Sequence, residues 1–302
     1  MARRKTVLIT GCSPGGIGHA LAVEFHKRGC HVIATARRYH VLAELGDMGF
    51  STLQLDVTDP ESVARCRAEA GALVEGKLDV LVNNAGFAQW ILAMDQDTEA
   101  VKKMYDTNVF GVMRMCKAFV DLLIPARGLI VNMSSLTSIV PSLFMTSYAS
   151  SKAALNTYSD ILRQELELFD VRVMVIMAGG VRTNVYNEGY FTLPAGSLYK
   201  AAQPAVDKLK REWRNALCQP AQDFATAVVS VALGGQSWPA CLLGGTPDRC
   251  WKGNLSSIVW FFQLGVIPSF FGRLAIRSVF SQDLFRRQVR RARDEDSKAS
   301  SS

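Results

Sequence analysis

The sequence predicts an α/β protein of the Rossmann-like type, a doubly wound parallel sheet with helices on both faces. Short aliphatic runs recur from residue 6 to residue 180, and stretches long enough for crossover helices lie between them. The runs are continuous in apolar, often β-branched residues instead of alternating with polar ones, which is typical of strands covered on both sides. Repeated strand-helix-strand units of this kind build a parallel sheet with right-handed connections.

The strands are predicted, in chain order, over residues 6–10, 31–36, 51–57, 78–86, 128–135 and 171–180. Crossover helices are predicted between them, for example over residues 18–28 and 98–123. Ligands of such sheets bind beyond the carboxyl ends of the strands, so we expect the functional residues at those ends. Residues 1–253 are expected to form one domain, which includes a lid of aromatic residues and lysines over residues 184–217.

Residues 254–302 are predicted to form an apolar C-terminal extension followed by a basic tail. The stretch 255–271 carries no charge, but it contains Pro268 and is shorter than the roughly 20 apolar residues that a spanning helix needs. Two interpretations stay open for residues 255–280. One is a buried element or a dimer contact within a homo-oligomer, and the other is an interfacial element in peripheral contact with a membrane or a lipid droplet.

The composition excludes several classes of protein. With 302 residues, 49% hydrophobic and 20% charged, the chain is neither a disordered protein nor a disulfide miniprotein. The net charge is +7, and the last thirty residues hold eight basic and four acidic side chains, which suits anionic lipid or solubility better than nucleic acid. Seven cysteines without a C-x-x-C pair indicate reduced thiols in the cytoplasm, and the four histidines lie far from the polar clusters, so no metal site is expected.

A glycine-rich loop, TGCSPGGIG at residues 10–18, directly follows the first predicted strand and opens a helix. Glycines permit the close approach of a pyrophosphate, and the helix N-terminus adds unpaired N–H groups and the positive end of a dipole. A plain turn is the alternative, but the strand-loop-helix context favours a dinucleotide site. The candidate contacts in this loop are Gly11, Ser13, Gly16, Ile17 and Gly18.

The end of the second strand predicts which dinucleotide binds. An NAD-type site places a carboxylate there for the ribose hydroxyls, whereas this chain has Ala36, Arg37 and Arg38. With no carboxylate to repel a 2′-phosphate and a guanidinium to pair with it, Arg37 favours NADP(H). Two solvated surface arginines are the alternative. Asp56, followed by Val57, is predicted to accept a hydrogen bond from the adenine amino group, or else to serve a cap or a turn.

The catalytic candidates form a second cluster. Tyr148 and Lys152 lie four residues apart in YASSK, so a helix places them on one face. A free tyrosine has a pKa of about 10, and we expect the neighbouring ammonium and the positive ring of the oxidised cofactor to lower it. Tyr148 then donates a proton to a ketone or acts as base toward an alcohol, while Ser135 binds the substrate oxygen. Taken separately, Tyr148 and Lys152 could be a surface pair and Ser135 could cap a helix. The occurrence of all three residues together indicates catalysis.

In order and spacing, these motifs resemble the short-chain dehydrogenase/reductase family over residues 5–185. The shared motifs are TGCSPGGIG (10–18), NNAG (83–86), TNVFG (107–111), Ser135, YASSK (148–152) and AGGVRT (178–183). The resemblance makes Asn108, Ser135, Tyr148 and Lys152 the catalytic set, with Asn108 holding a water that links Lys152 to solvent. It also implies that Asn83 braces the sheet beside the adenosine and that Val181 and Thr183 meet the nicotinamide carboxamide. The full set of cofactor contacts outside the glycine-rich loop is Arg37, Asp56, Val57, Asn83, Ala85, Gly86, Tyr148, Lys152, Gly179, Val181 and Thr183.

Three departures from the family pattern bear on the site. The glycine-rich loop has one more residue than the common T-G-x-x-x-G-x-G. Ser138 stands where a glycine usually follows the catalytic serine. Ala178 replaces the usual proline, so we expect the loop near the nicotinamide to be less constrained. None of the three removes a catalytic group.

Within the family, the chain resembles most the fungal reductases of 1-acyldihydroxyacetone phosphate, through ATARR, GKLDVLVNNAG, the Gly-Gly form of AGGVRT and the apolar extension with its basic tail. Such relatives work on lipids at the endoplasmic reticulum or at lipid droplets. We therefore expect an NADPH-dependent reductase for a ketone on a bulky apolar substrate, either a lipid or a fungal secondary metabolite. Two alternatives stay open. One is a tailoring enzyme of the same fold that acts as an alcohol dehydrogenase, isomerase or cyclase on a polyketide, terpenoid or alkaloid intermediate, and the other is a non-catalytic lipid-surface protein.

Overall fold

The computed structural model describes residues 3–183, 192–208, 218–234, 248–263 and 282–299. Its strands are β1 (Thr6–Ile9), β2 (His31–Ala36), β3 (Ser51–Gln54), β4 (Val80–Asn83), β5 (Leu129–Met133), β6 (Arg172–Ala178), β7 (Val181–Arg182), β8 (Gln219–Pro220) and β9 (Arg249–Lys252). Its helices are α1 (Ile17–Lys27), α2 (Ala43–Asp47), α3 (Pro60–Leu73), α4 (Thr98–Tyr105), α5 (Gly111–Leu123), α6 (Thr146–Glu167), α7 (Ala221–Leu233), α8 (Ser256–Gln263) and α9 (Gln282–Ala299). A π-helical turn, Asp106–Phe110, joins α4 to α5, and a 3-10 turn, Leu136–Ser138, follows β5.

A seven-stranded sheet in the order β3-β2-β1-β4-β5-β6-β9 forms the centre of the fold. Every neighbouring pair in it is parallel, so the predicted doubly wound sheet is confirmed. The chain winds outward from β1 in one direction through β2 and β3, and then in the other through β4 to β6. A crevice for ligands is expected at this reversal, beyond the carboxyl ends of β1 and β4. The sequence analysis did not predict β9, which extends the sheet beyond β6.

The central strands are buried on both faces, as their continuous apolar character predicts. In β1, Val7 and Ile9 pack on one face with the cluster that includes Leu21 of α1 and Phe224 of α7. Leu8 points to the other face and packs with residues of α3, α5 and α6, such as Phe119. Because side chains alternate along a strand, the three consecutive apolar residues of β1 contribute to both layers. These layers hold the carboxyl ends of the strands, and therefore the site, in a fixed arrangement.

The C-terminal helix α9 packs back onto the described part of the lid. Leu284, Phe285 and Val289 contact the cluster that contains lid residues, and the Gln288 side chain accepts a hydrogen bond from the backbone N of Ala205 at 3.2 Å. The sequence predicted only an extension and a basic tail here, without this contact. The amphipathic pattern explains it, because the neighbouring arginines of the helix face solvent.

Parts of the chain named in the sequence analysis lie outside the described residues. They include 184–191 and 209–217 of the lid, and 264–281, which contains most of the stretch predicted to touch a membrane or a second copy. Within the described ranges, no helix combines the length and the apolar character that crossing a bilayer requires.

Candidate active site

The glycine-rich loop joins β1 to α1 at the crevice. Gly16 is the N-cap of α1, and no side chain caps the helix, so its first backbone N–H groups face the crevice entrance as an anion site requires. The extra residue of this loop is taken up by a tight turn, in which Gly16 N donates to Ser13 O at 3.1 Å. At Gly18, a Cβ atom would lie 2.4 Å from Gly11 O and 2.5 Å from Asn84 Nδ2, so only glycine permits this close approach.

Hydrogen bonds between Thr10 and Asn84 join the loop after β1 to the loop after β4. The Asn84 side chain donates to Thr10 O at 2.8 Å and to Gly11 O at 3.1 Å. In return, Thr10 Oγ1 accepts from the backbone N of Asn84 at 3.0 Å and of Ala85 at 2.9 Å. Sequence reasoning missed both residues as site residues, although both stand within the motifs TG and NNAG. Their bonds fix the floor on which a dinucleotide would lie.

Most of the predicted cofactor contacts keep accessible surface around this crevice: Ser13, Gly16, Ile17, Arg37, Asp56, Ala85, Gly86, Gly179 and Thr183. Arg37 is exposed just past the end of β2. Asp56 uses one carboxylate oxygen for a turn, accepting from Thr58 N at 2.9 Å and from Thr58 Oγ1 at 2.7 Å. The turn role that the sequence left open for Asp56 is therefore present, and its contact with an adenine amino group stays a prediction.

Asn83, Val57 and Val181 are buried, as are Gly18 and Lys152. Asn83 Nδ2 donates to Asn132 Oδ1 at 2.9 Å, and Asn132 Nδ2 donates to Ser159 Oγ at 2.9 Å. This chain of hydrogen bonds ties β4 and β5 to α6. The side chain of Asn83 thus braces the sheet, and it does so from the core side instead of from the crevice.

Helix α6 carries Tyr148 and Lys152 one turn apart, next to the end of β5. Lys152 Nζ donates to the carbonyl oxygen of Met133 at 2.8 Å and lies 5.8 Å from the centroid of the Tyr148 ring. Ser135, two residues after Met133, is close enough to the Tyr148 phenol to act on its pKa. Gly86 lies beside them, since a Cβ atom there would be 3.6 Å from Lys152 Nζ. The structure therefore brings the predicted serine, tyrosine and lysine together at the crevice.

Burial acts on both ionisable groups of this cluster. It lowers the pKa of Lys152 to about 8, because the ammonium is removed from water. It raises the pKa of Tyr148, and the hydrogen bond with Ser135 acts in the opposite direction. The sequence predicted that Lys152 and an oxidised cofactor would lower the pKa of Tyr148. In the protein by itself burial outweighs any such effect, so the phenol is neutral at physiological pH and suited to donating a proton.

Asn108 lies in the π-helical turn between α4 and α5 and is fully buried. Its side chain accepts from Phe87 N at 3.1 Å and donates to Phe87 O at 3.0 Å and to Ser151 Oγ at 3.2 Å. The amide is therefore committed to the loop after β4 and to α6. It also lies next to the lysine, because a Cβ atom on Gly86 would be 2.9 Å from Asn108 Oδ1. The water that the resemblance implies at Asn108 stays a prediction.

The loop after β6 is held by the loop after β9. Gly179 N donates to Lys252 O at 2.8 Å, and Gly180 forms a bridge with Asn254. A Cβ atom on Gly179 would lie only 2.0 Å from Asn254 O, so no other residue fits there. Backbone contacts with the end of β9 therefore hold this loop at Gly179 and Gly180, and the effect of Ala178 in place of proline stays a prediction.

Tyr148 also borders an apolar cluster, here named the apolar wall. Its buried members come from the β4–α4 connection, the segment before α6, the lid and α9: Ala88, Trp90, Leu92, Phe144, Met145, Leu193, Ala202, Ala205, Val206 and Phe285. Tyr148 and Tyr199 pack against it. The lid is held in place where Ser197 Oγ donates to Asp95 Oδ2 at 2.7 Å. One side of the proposed catalytic tyrosine therefore packs against a buried apolar cluster.

Comparisons with known proteins agree with this architecture. The family model described as short chain dehydrogenase matches residues 5–193. The chain is 42% identical over 266 residues to the NADPH-dependent 1-acyldihydroxyacetone phosphate reductase of Schizosaccharomyces pombe. The aligned region covers 85% of this chain and 88% of that protein. It is 38% identical over 261 residues to the short-chain dehydrogenase fogD of Aspergillus ruber, covering 86% and 88%.

Among solved structures, a short-chain dehydrogenase from Streptomyces avermitilis superimposes with a TM-score of 0.74 at 26% sequence identity, over 94% of this chain and 99% of that one. The match of the family model over most of the chain agrees with the motifs and with the parallel sheet. This protein belongs to the short-chain dehydrogenase family and is an oxidoreductase.

Proposed function

We propose that this protein is an NADPH-dependent reductase that converts a ketone on a bulky apolar substrate into a secondary alcohol. The observation that carries this function is the meeting of Ser135, Tyr148 and Lys152 beside the glycine-rich crevice, with the apolar wall against Tyr148. The crevice supplies a place for a dinucleotide, the three polar side chains supply proton-transfer chemistry, and the wall supplies a surface for an apolar substrate.

The crevice fits a phosphorylated dinucleotide. The uncapped N-terminus of α1 and the close packing at Gly18 suit a pyrophosphate. Arg37, exposed past the end of β2 where no carboxylate stands, suits the 2′-phosphate. We assign Gly86 and Lys152 to the ribose and nicotinamide of the cofactor, because Lys152 lies close to Tyr148 and Gly86 lies close to Lys152. The yeast relative, described as NADPH-dependent, supports the same choice. When bound, the reduced cofactor supplies the hydride.

Tyr148 supplies the proton. Its buried phenol is neutral at physiological pH because burial raises its pKa, so it can donate to the carbonyl oxygen as negative charge develops there. Ser135 donates a second hydrogen bond to the same oxygen. Lys152, whose pKa is lowered to about 8, still carries its charge at neutral pH and stabilises the phenolate that remains. Asn108, fixed beside Lys152, is assigned the water that returns a proton from solvent.

The apolar wall supports a bulky apolar substrate. We propose a lipid of the acyl-dihydroxyacetone-phosphate type first, as the name of the yeast relative suggests, and a fungal secondary metabolite second. Lysines of the lid are candidates to bind the phosphate of such a substrate. Among them, Lys200 donates to Leu193 O at 3.0 Å and so helps to hold the lid. Lys210 lies outside the described residues.

We further propose that the enzyme works in the cytoplasm at a lipid surface, where such a substrate would be found. Trp260 of α8 is 47% exposed and is a described residue that such a contact would use. Fractionation of cells that express Trp260→Ser is the test, because this variant leaves α9 and the lid in place. An unchanged membrane fraction would count against the contact.

A panel of ketones offered with NADPH and with NADH tests the reaction. We expect net reduction, which adds two hydrogens to the product mass, with NADPH preferred. An isomerase or a cyclase of the same fold would leave the product mass unchanged, and an alcohol dehydrogenase would remove two hydrogens. Oxidation of neither cofactor with any ketone would argue for one of these alternatives or for a non-catalytic protein.

The variant Tyr148→Phe tests the proton donor. Removal of the hydroxyl should abolish nearly all turnover and leave NADPH affinity unchanged, because the ring that packs against the apolar wall is retained. Stopped-flow turnover and fluorescence titration measure the two quantities. Unchanged turnover would remove Tyr148 from the role assigned to it.

A further inference from the structure

The hydroxyl of Ser135 receives two hydrogen bonds from a single neighbour. Thr137 donates to Ser135 Oγ from its backbone N at 3.2 Å and from its own hydroxyl at 2.9 Å. A serine hydroxyl has two acceptor lone pairs and one hydrogen. With both acceptor positions filled, the hydrogen of Ser135 is directed along the remaining tetrahedral position. Ser135 acts to lower the pKa of the Tyr148 phenol, as a hydroxyl that donates toward the phenol oxygen does.

The turn that carries Ser135 is also tied to α6. Ser138 Oγ donates to the carbonyl oxygen of Ser135 at 2.6 Å, and Asn156 Nδ2 donates to Ser138 Oγ at 2.9 Å. The single hydrogen of the Ser138 hydroxyl is used on Ser135, so the amide of Asn156 must be the donor to it. Asn156 follows Lys152 by one helical turn and Tyr148 by two, on the same face of the helix.

We propose that Thr137, Ser138 and Asn156 are positioning residues that hold Ser135 as a one-way hydrogen-bond donor toward the reacting oxygen. The inference rests on the roles proposed above for Ser135 and Tyr148. If Ser135 Oγ could also accept a hydrogen bond, the phenol of Tyr148 could donate to it. The phenol hydrogen would then be bound to Ser135 instead of to the carbonyl oxygen of the substrate. Filling both acceptor sites of Ser135 removes this competing arrangement before the substrate binds, so no reorientation is needed during the reaction.

The anchor through Ser138 is a feature of this chain. The family resemblance implies glycine at that position, and glycine has no hydroxyl with which to join the serine turn to the helix. Ser135 also caps the 3-10 turn that follows β5, which is the non-catalytic role that the sequence left open for it. The cap and the catalytic role are compatible, because the cap uses the lone pairs and leaves the hydrogen available.

Thr137→Val, with Thr137→Ser as its matched control, tests the orientation of Ser135. Valine keeps the shape and the backbone donor but loses the hydroxyl donor, whereas serine keeps both donors. We expect kcat of the holoenzyme to fall about tenfold in Thr137→Val, with KM and NADPH affinity near wild type. We also expect the pH limit of the neutral Tyr148 phenol, followed by its ultraviolet absorbance and separate from the titration of Lys152, to move upward, because Ser135 can now accept from the neutral phenol. Thr137→Ser should restore both kcat and the pH limit.

Ser138→Ala and Asn156→Leu test the anchor. Their effects on kcat should not add in the double variant, because both remove the same connection between the serine turn and α6. If the effects of the two substitutions on kcat add in the double variant, the proposed connection through Ser138 and Asn156 is overturned. Should Thr137→Val fail to fold, Ser138→Ala provides the same readouts of kcat and pH limit, because it removes the hydroxyl that joins the Ser135 turn to α6 and leaves Thr137 in place.

Ser135→Ala and Tyr148→Phe, measured in parallel, separate the two levels of inference. If either keeps wild-type turnover, the proposed catalytic roles fail and the positioning roles fail with them. If both lose turnover while Thr137→Val keeps the wild-type kcat and pH limit, only the positioning roles are overturned. A loss in Thr137→Ser as large as that in Thr137→Val would also overturn them.

Discussion

Phe285 of α9 packs edge-on against Phe144, with ring centroids 5.7 Å apart and an interplanar angle of 87°. Phe144 stands one residue before Met145 and four before Tyr148, so the last described helix of the chain reaches the wall that borders the proposed proton donor. An edge-to-face pair contributes about 0.5–1.5 kcal/mol beyond the area that it buries. The C-terminal segment is therefore connected to the substrate side of the site.

Phe285→Ala should impair bulky substrates selectively. The loss of a buried ring removes roughly 1.5–3 kcal/mol of apolar burial from the wall, so KM for a bulky apolar ketone should rise about tenfold. A small ketone, which does not reach the wall, should keep its KM. Steady-state kinetics with the two ketones measure the difference, and Arg286→Ala, on the solvent-facing side of the same helix, is the control. Equal losses with both ketones would mean that the wall does not select the substrate.

Arg37→Asp should weaken NADPH more than NADH. The carboxylate removes the partner of the 2′-phosphate and repels it, and a charge-assisted hydrogen bond contributes about 1.5–3 kcal/mol, or roughly tenfold to a hundredfold in affinity. Fluorescence titration gives both dissociation constants. Arg38→Asp is the matched control, because Arg38 is also exposed and has the same charge. Equal weakening of both cofactors by Arg37→Asp would show that this guanidinium does not contact the phosphate.

The rate of ketone reduction should fall as the pH rises through the pKa of Lys152, which burial lowers to about 8. The protonated amine is the form that stabilises the phenolate, so activity is present below this pKa and is lost above it. Lys152→Arg should shift the loss to higher pH, because a guanidinium stays protonated to above about pH 12. Profiles of kcat/KM against pH for both proteins check this. Superimposable profiles would exclude Lys152 as the titrating group.

Lys152→Met should abolish turnover and yet raise the stability of the protein at neutral pH. The pKa of the amine falls from 10.5 unfolded to about 8 folded, so burying the charged form opposes folding. At about 1.4 kcal/mol per pKa unit, this cost is at most about 3.5 kcal/mol, less the hydrogen bond to Met133 O. The sign follows from linkage, because the unfolded chain binds more protons between these two pKa values and wild-type stability therefore increases with pH there. Urea titrations of both proteins measure it; a less stable Lys152→Met would contradict the assigned cost.

Gly179→Ala should destabilise the protein strongly, because its Cβ would lie 2.0 Å from Asn254 O and must push β6 and β9 apart. Overpacking of this kind costs about 1–3 kcal/mol or more. Gly46→Ala in α2 is the matched control, since nothing lies within 4 Å of its added Cβ and alanine favours a helix by about 0.5–1 kcal/mol. Chemical unfolding distinguishes the two. A Gly179→Ala protein as stable as wild type would disprove the close contact between these loops.

Most of the sheet could be predicted from the sequence, because its strands are covered on both faces and carry continuous apolar runs. The predicted segments are longer than the strands: 78–86 contains β4 (Val80–Asn83), and 128–135 contains β5 (Leu129–Met133). The difference has a physical reason. Asn84, Gly86 and Ser135 lie beyond the last paired residues, and their backbone groups serve the crevice instead of the sheet. The strand β9 was missed because Arg249 and Lys252 interrupt its apolar pattern.

The positions of Tyr148 and Lys152 could also be predicted, because a spacing of four residues on a helix determines which side chains share a face. The direction of the pKa of Tyr148 could not, because it depends on how completely neighbouring elements exclude water from the phenol. The role of Thr137 was equally hidden, since its two bonds to Ser135 Oγ depend on the conformation of one 3-10 turn.

Local order along the chain thus determined the parallel sheet, the glycine-rich loop and the helix face that bears the tyrosine and lysine. These features depend on periodicity and on spacing over a few residues, and both can be read directly from the sequence. Tertiary structure alone decided that Gly179 meets Asn254, that Asn156 reaches Ser138 and that Phe285 joins the wall beside Tyr148. Such contacts join residues far apart in the chain, and they follow from the packing of complete elements, which no local pattern encodes.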